Sequence, residues 1–537
     1  MSIQLRDFLL YSIVLTIMFC DIPQVIQLNF LGSVMGGKLS IYPLLVGFLI
    51  SLYYWKKTGH GISADSRKFL FFASTLSLAV FISLVHGLIV YPYYSDILNG
   101  PVDQIQKLPK VYSYLQHYNV PITEQSLLKV WMVARPLKSF ILEIIWTFGV
   151  SYMIYCWYKK DWKSCFCIVR KGLIVSIIAV VLYSALDILY LSGMWGAETL
   201  LSFLNPVVHD IKSNDTWWPP LLWPGQLRSL FAEPSYFGIF AAFAMPWLWY
   251  SICTAKNSRR KIGYVVLFVV YMICLFFTKA RTANALFMGE LFLLGLISIA
   301  FRKELLKKYC LILICAAIAF GFSTIALTYM PGSPEKVEII SSKSNLNHEA
   351  MKQYFDDNLG SLASASSDKR SNRARYSVLA ADLGIGKDHP LLGVGRSLRN
   401  AYIPQYLPDN AFQSDEIMMW INNQKTKGIM KSGFPALGEY STRFAETGLL
   451  GLIIYLFPAL LLLYKIIKAV SNQTIIFIDR LKYICFGISF VGILASGFGD
   501  SINITCAYWI LLGIGYAMCF GQKNDVGNTE IKQHESA

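Results

Sequence analysis

Apolar residues along this chain gather into long runs separated by short polar stretches, and the runs have the length of a bilayer crossing. A crossing needs about 20 mostly apolar residues. Twelve runs fit, near residues 8–28, 39–55, 69–91, 138–158, 169–192, 236–254, 263–278, 282–300, 309–330, 447–467, 482–500 and 502–520. The second and seventh are short, and Asp21 and Pro23 interrupt the first. The pattern predicts an all-α polytopic membrane protein with about twelve transmembrane helices. Only Arg6 precedes the first run and no small-residue cleavage site follows it, so a retained first helix is expected.

The loops supply an orientation. Short loops rich in Lys and Arg stay on the cytoplasmic side. Lys56, Lys57, Arg67 and Lys68 form one such cluster, and Lys159, Lys160, Lys163, Arg170 and Lys171 the next. Lys256, Arg259, Arg260 and Lys261 follow, then Arg302, Lys303, Lys307 and Lys308, and last Lys465, Lys468, Arg480 and Lys482. With Arg6, Lys523 and Lys532, that side holds 24 basic and 8 acidic residues. The net charge of +15 thus divides into +16 inside and −1 elsewhere, which reports topology and not a nucleic-acid partner. Both termini are then expected on the cytoplasmic side.

Composition agrees: 55% of residues are hydrophobic, only 15% are charged, and the mean hydropathy is +0.46. The eleven cysteines all lie in or beside the runs and read as small apolar fillers. There is no HExxH, no convincing metal-ligand spacing and no Gly-rich phosphate loop. Neither a metal nor another cofactor is expected, and any substrate should arrive preassembled in the membrane.

Five segments face outward, near 29–38, 92–137, 193–235, 279–281 and 331–446. The last is too long for a connector and is expected to carry function. It contains a low-complexity patch, SLASASS at 361–367, and a helical pattern near 372–383 with Tyr376, Leu379 and Leu383 spaced for one face.

Four constellations lie on this outward side. Arg228 stands at the lip of the sixth run with Glu233 close behind; arginine forks suit phosphates, but also anchor span ends among lipid headgroups. Upstream, Trp217, Trp218 and Trp223 fit an interfacial aromatic belt, although such rings also stack on sugars. Lys279 and Arg281 occupy the tight turn between the seventh and eighth runs, where an anionic group would be their natural partner, and Glu290 follows mid-run as a structural bridge or a site residue. The long segment carries Arg373, Arg375, His389, Gly393, Gly395, Arg396 and Arg399; glycines permit a tight approach to an anion. Glu439 and Glu446 lead into the tenth run as a helix start or as bases.

The chain resembles the O-antigen polymerase and ligase superfamily, the Wzy-type enzymes of surface polysaccharide assembly. Four stretches carry the resemblance: LFAEPSYFG at 230–238, FTKARTANALF at 277–287, HPLLGVGRS at 389–397 and AETGLLGLIIYL at 445–456. Their order and spacing match the family over roughly 225–460, whereas 1–224, 461–520 and the tail at 521–537 resemble it only in topology. The resemblance implies a GT-C-like fold with helices in its long periplasmic loop. It implies a glycosyltransferase that polymerises oligosaccharide repeat units carried on undecaprenyl diphosphate at the periplasmic face. The product would be O-antigen or a related polysaccharide, made without a nucleotide sugar. Its implied partners are that lipid-linked substrate, the bilayer, a chain-length regulator and a flippase.

The family's functional arginines would map onto Arg228, onto Arg281, and onto Arg396 or Arg399, with Lys279 and Arg375 as further diphosphate contacts. Two departures matter. The polymerases place a glycine eleven positions after their arginine, whereas this chain has Gly238 followed by Ile239, and the ligases carry a histidine near the position of Leu437. The second favours a polymerase and leaves the base open among Glu233, Glu439, Glu446 and His389. An O-antigen ligase is the enzyme alternative. A transporter or flippase is the other, although no matching halves appear.

Overall fold

Helix is the regular element throughout the described residues of this computed structural model, which are 2–32, 34–58, 63–105, 107–210, 225–301, 303–329 and 372–521. Inside a bilayer each backbone N–H and C=O must find its partner within the protein, and a helix provides that locally. In chain order the long helices are α1 (Ile3–Thr16), α2 (Ile41–Thr58), α3 (Ala64–Val90), α4 (Glu124–Tyr158), α5 (Trp162–Leu191), α6 (Pro234–Thr254), α7 (Ser258–Phe277), α8 (Arg281–Phe301) and α9 (Lys303–Tyr329), with shorter helices at Tyr94–Leu98, Leu108–His117 and Ala197–Val208 between them. The long outward segment then contributes α10 (Asn372–Asp388), α11 (Arg399–Tyr406) and α12 (Asp415–Lys427), before α13 (Glu439–Ser471), α14 (Phe477–Ser496) and α15 (Ala507–Phe520).

Each of the twelve apolar runs falls on one of these helices. Among the described residues eight, α3 to α9 and α13, are long and apolar enough to cross a membrane. The other four are short, as α1 and α15 are at 14 residues, or carry charge, as α2 does at Lys56 and Lys57 and α14 at Asp479, Arg480 and Lys482. The molecule is thus a polytopic membrane protein. The first run is not one helix: α1 stops at Thr16, and turns around Asp21 and Pro23 replace the expected second half. In α4 a five-residue π turn, Ile145–Gly149, interrupts the regular winding. Such turns concentrate at functional sites.

Side-chain cross-links gather the basic loops at one end of the bundle. Arg6 meets Asp161 at 3.2 Å, Lys159 meets Asp65 at 2.9 Å, and Lys163 meets Asp479 at 3.2 Å. Lys308 donates to the carbonyl of Cys253 at 2.9 Å. This is the basic face. The opposite, loop face carries a second core of its own, in which Tyr91 and Tyr93 after α3 pack edge-on against Tyr402 of α11, and Tyr94 packs edge-on against Tyr91.

Helix α10 forms where the sequence predicts it, with the apolar face rotated. Ala374, Val378, Ala381 and Ile385 are buried, while Tyr376 and Leu383 are exposed. Small side chains win the inner face because α13 lies close against it. The tryptophans at 217, 218 and 223, the patch at 361–367 and the tail beyond residue 521 lie outside the described residues.

Helix α6 is the axis of the bundle and is buried along nearly its whole length. Gly238 explains how it approaches α8: a Cβ there would sit 2.5 Å from the backbone Cα of Ala283. The LFAEPSYFG and FTKARTANALF stretches are therefore packed against each other through a glycine. Gly238→Ala should destabilise the protein by about 1–3 kcal/mol, the usual penalty of overpacking. An unchanged melting temperature in detergent would refute that packing.

Candidate functional site

The two remaining family-like stretches form one unit. Gly448 interrupts α13 with φ 62° and ψ −169°, which frees backbone groups on both sides of the break. The 389–397 loop takes them up. Val394 N–H donates to Ala445 O at 2.9 Å and Gly395 N–H to Glu446 O at 2.9 Å; Leu449 N–H donates to Pro390 O at 2.8 Å. A helix break at membrane depth survives only when its backbone is satisfied this way. Gly393, at φ +66°, lies against the backbone of Glu446, and Gly87 of α3 against Val394. The Ser83 hydroxyl closes the junction by donating to the carbonyls of Leu392 and Glu446.

This docking aims two arginines at one carboxylate. Arg396 bonds Glu143 through Nη2, and Arg443 Nη2 reaches the other oxygen of Glu143 at 2.7 Å. Arg443 Nε also holds Glu439 Oε1 at 2.6 Å, and its guanidinium lies 3.7 Å from the Tyr455 ring centre. Glu439 is saturated, since Tyr455 OH donates to it at 3.2 Å and Ser501 Oγ at 2.7 Å. Arg396 is not: its side chain is 13% exposed, and its Nε has no hydrogen-bond partner among the described residues. Beside it, Ser397 N–H donates to Glu446 Oε1 at 2.9 Å, while Glu446 Oε2 makes no hydrogen bond among the described residues.

Arg228 lies elsewhere on the loop face and is only 2% exposed. Its backbone N–H and that of Ser229 both donate to Asp187 of α5, at 3.1 and 2.7 Å. Ser229 adopts φ 56° to allow this. Among the described residues the Nη1 of Arg228 and the Nε2 of neighbouring His209 are buried and have no hydrogen-bond partner. Burial and the Arg228 charge push the His209 imidazole down to about 3, so it stays neutral. Leu227 N–H donates to Phe277 O at 3.1 Å, which ties this lip to the Lys279–Arg281 turn. Lys279 takes φ 49°, and Arg281 bonds Asn372 at the start of α10.

The other predicted residues divide. Arg375 donates to Gly499 O at 2.7 Å and approaches Asp500 at 3.4 Å, next to Ser501 of the Glu439 cluster. Arg399 is consumed by Asp382: it bonds both carboxylate oxygens and the carbonyls of Phe434 and Pro435. Ser441 and Thr442 also donate to Asp382, both at 3.3 Å. Burial pushes the Asp382 carboxyl up while Arg399 pulls it back. That pair braces α10, α11 and α13 instead of facing the open site. Glu233 stands at the residue before α6 and accepts from Ser235 Oγ at 3.4 Å, and His389 lies edge-on to Tyr402 at 6.1 Å. Glu290 is buried against Gly492 of α14, and among the described residues neither of its oxygens is hydrogen-bonded and it forms no salt bridge. Glu143, Asp187 and Arg443 received no role from the sequence. A lone carboxylate inside an apolar run is the signal that singled out Glu290, and it applied equally to Glu143 and Asp187. Among the described residues no group of three or more His, Cys, Asp or Glu could hold a metal.

Residues 265–438 match the family described as O-antigen ligase. The matched region runs from within α7, through α8 and α9 and the long loop-face segment, to the residue before α13. No curated protein matches the chain.

Proposed function

We propose that this chain, whose residues 265–438 match the family described as O-antigen ligase, is a polymerase of undecaprenyl-diphosphate-linked oligosaccharide units. The loop face is then the periplasmic face of an inner membrane protein, and both termini are cytoplasmic. The +16 carried by the opposite side supports that orientation.

One juxtaposition carries the reading. Arg396, with an unused Nε, and Glu446, with an unused oxygen, lie on either side of the Ser397–Glu446 hydrogen bond. Breaking the anomeric C–O bond of the donor leaves a lipid diphosphate that gains negative charge. A positioned guanidinium stabilises it in the transition state. The acceptor hydroxyl must lose a proton as the new glycosidic bond forms, and Glu446 is the base placed to take it. Glu439 is a poorer candidate because three donors already occupy it. Arg443 and Glu143 position Arg396, while Arg228, Lys279 and Arg281 form a second cationic stretch for the carrier's diphosphate.

Arg396→Ala should slow transfer by about 10²- to 10³-fold and collapse the surface glycan from long ladders to single repeats. Arg396→Lys should not restore it, because a point charge does not replace the fork. Normal ladders from Arg396→Ala would sink the assignment.

The second reading is a ligase, favoured by the description of the matching family. The absence of histidine around Leu437 supports the polymerase instead. A deletion strain separates them: a polymerase leaves single repeats attached to lipid A core, whereas loss of all attached glycan identifies a ligase.

A further inference from the structure

We propose that the basic face holds a binding site for an acidic phospholipid of the adjoining leaflet. A cavity of about 900 Å³ opens there between α3, α4, α13 and α15. That volume lies in the upper part of the range for ligand sites, about 300–1,000 Å³. Its walls are apolar and aromatic, including Phe72, Tyr152, Phe457 and Leu512, and Arg67 and Lys68 stand at its mouth.

Three observations select the occupant. The other polar groups at the mouth are already engaged with one another. Lys159 and Tyr155 bond Asp65 at 2.9 and 3.1 Å, and Tyr152 OH lies 2.6 Å from Ser66 Oγ. Arg67 and Lys68, both exposed, make no ion pair among the described residues and are left for an anion. The depth also fits. From Arg67 to Thr75, the deepest α3 residue of the lining, is eight residues, or about 12 Å at 1.5 Å per residue. One leaflet contributes about half of the roughly 30 Å hydrocarbon core. An acyl chain of that leaflet spans this depth, and its phosphate would rest on the two cations. A carrier lipid whose diphosphate sits at the loop face would leave both cations unanswered.

The test is native mass spectrometry of the full-length protein after equilibration with vesicles of equal phosphatidylglycerol and phosphatidylethanolamine. Wild type should retain phosphatidylglycerol with about thirtyfold preference, as expected of two cations at a membrane surface. The Arg67→Ala/Lys68→Ala variant should retain the two lipids equally. Thr75→Trp, which fills the inner end, should lower retention of both lipids while the charge pair stays intact. Equal retention by wild type, a preserved preference in the double variant, or full retention by a normally melting Thr75→Trp protein would each overturn the proposal. So would recovery of a polyprenyl phosphate in place of phospholipid.

Discussion

Glu446→Gln should lower the rate of glycan transfer by about 10²- to 10⁴-fold, the range for removing a general base, while donor binding stays close to wild type. The substitution keeps an oxygen that can accept from Ser397 N–H, so the junction between the 389–397 loop and the broken α13 should survive. What disappears is the capacity to take a proton. In a reconstituted assay with lipid-linked oligosaccharide, the wild-type rate should fall on acidification as Glu446 protonates, and the residual activity of the variant should lack that limb. Glu439→Gln provides the contrast. It disturbs the contacts to Arg443, Tyr455 and Ser501 and should act through stability, leaving the acidic limb in place. A Glu446→Gln protein that builds normal ladders would remove Glu446 from the mechanism and reopen Glu233 and His389.

Asp382→Ala should destabilise the loop-face assembly by about 3–5 kcal/mol. The reason is asymmetric: the carboxylate disappears but Arg399 stays buried, and an uncompensated buried charge is the expensive outcome. The damage should spread, because Asp382 also accepts from Ser441 and Thr442 at the start of α13. Limited proteolysis of the loop-face helices would report it. An apolar pair, Asp382→Leu with Arg399→Met, should recover most of the lost stability, since it removes both charges from a site that excludes water. If that pair also restored transfer, Arg399 would be established as a brace and not a substrate contact. A single Asp382→Ala variant as stable as wild type would contradict the buried pairing.

The membrane part of the fold was legible in the sequence because its signal is local. Hydropathy over one run decides whether that run becomes a span, and cation content over one loop decides its side. The first run misled because its hydropathy continues past Thr16 although Asp21 and Pro23 cannot continue the helix. The apolar face of α10 was misjudged for a related reason. Periodicity weights Tyr376 and Leu383 by size, whereas a closely packed partner selects Ala374 and Ala381. The site was legible only in halves. The GVGR stretch reads as a glycine turn and the GLLG stretch as a helix start, and neither sequence states that the backbone of one completes the backbone of the other. Glu143 carries the mark of a lone carboxylate in an apolar run, but its role was not legible because both of its partners are remote, 253 and 300 residues along the chain.

That separation has a consequence for biogenesis. At about 5–20 residues per second, a ribosome needs roughly 15–60 s to add the 300 residues between Glu143 and Arg443. During that interval α4 has been synthesised, but neither guanidinium that neutralises its carboxylate has yet left the exit tunnel. The nascent α4 therefore faces lipid or insertion machinery with an unanswered acid, and its final seating waits for α13. Truncations that end before Arg443 should accordingly be recognised as immature and degraded, even though every earlier span is present.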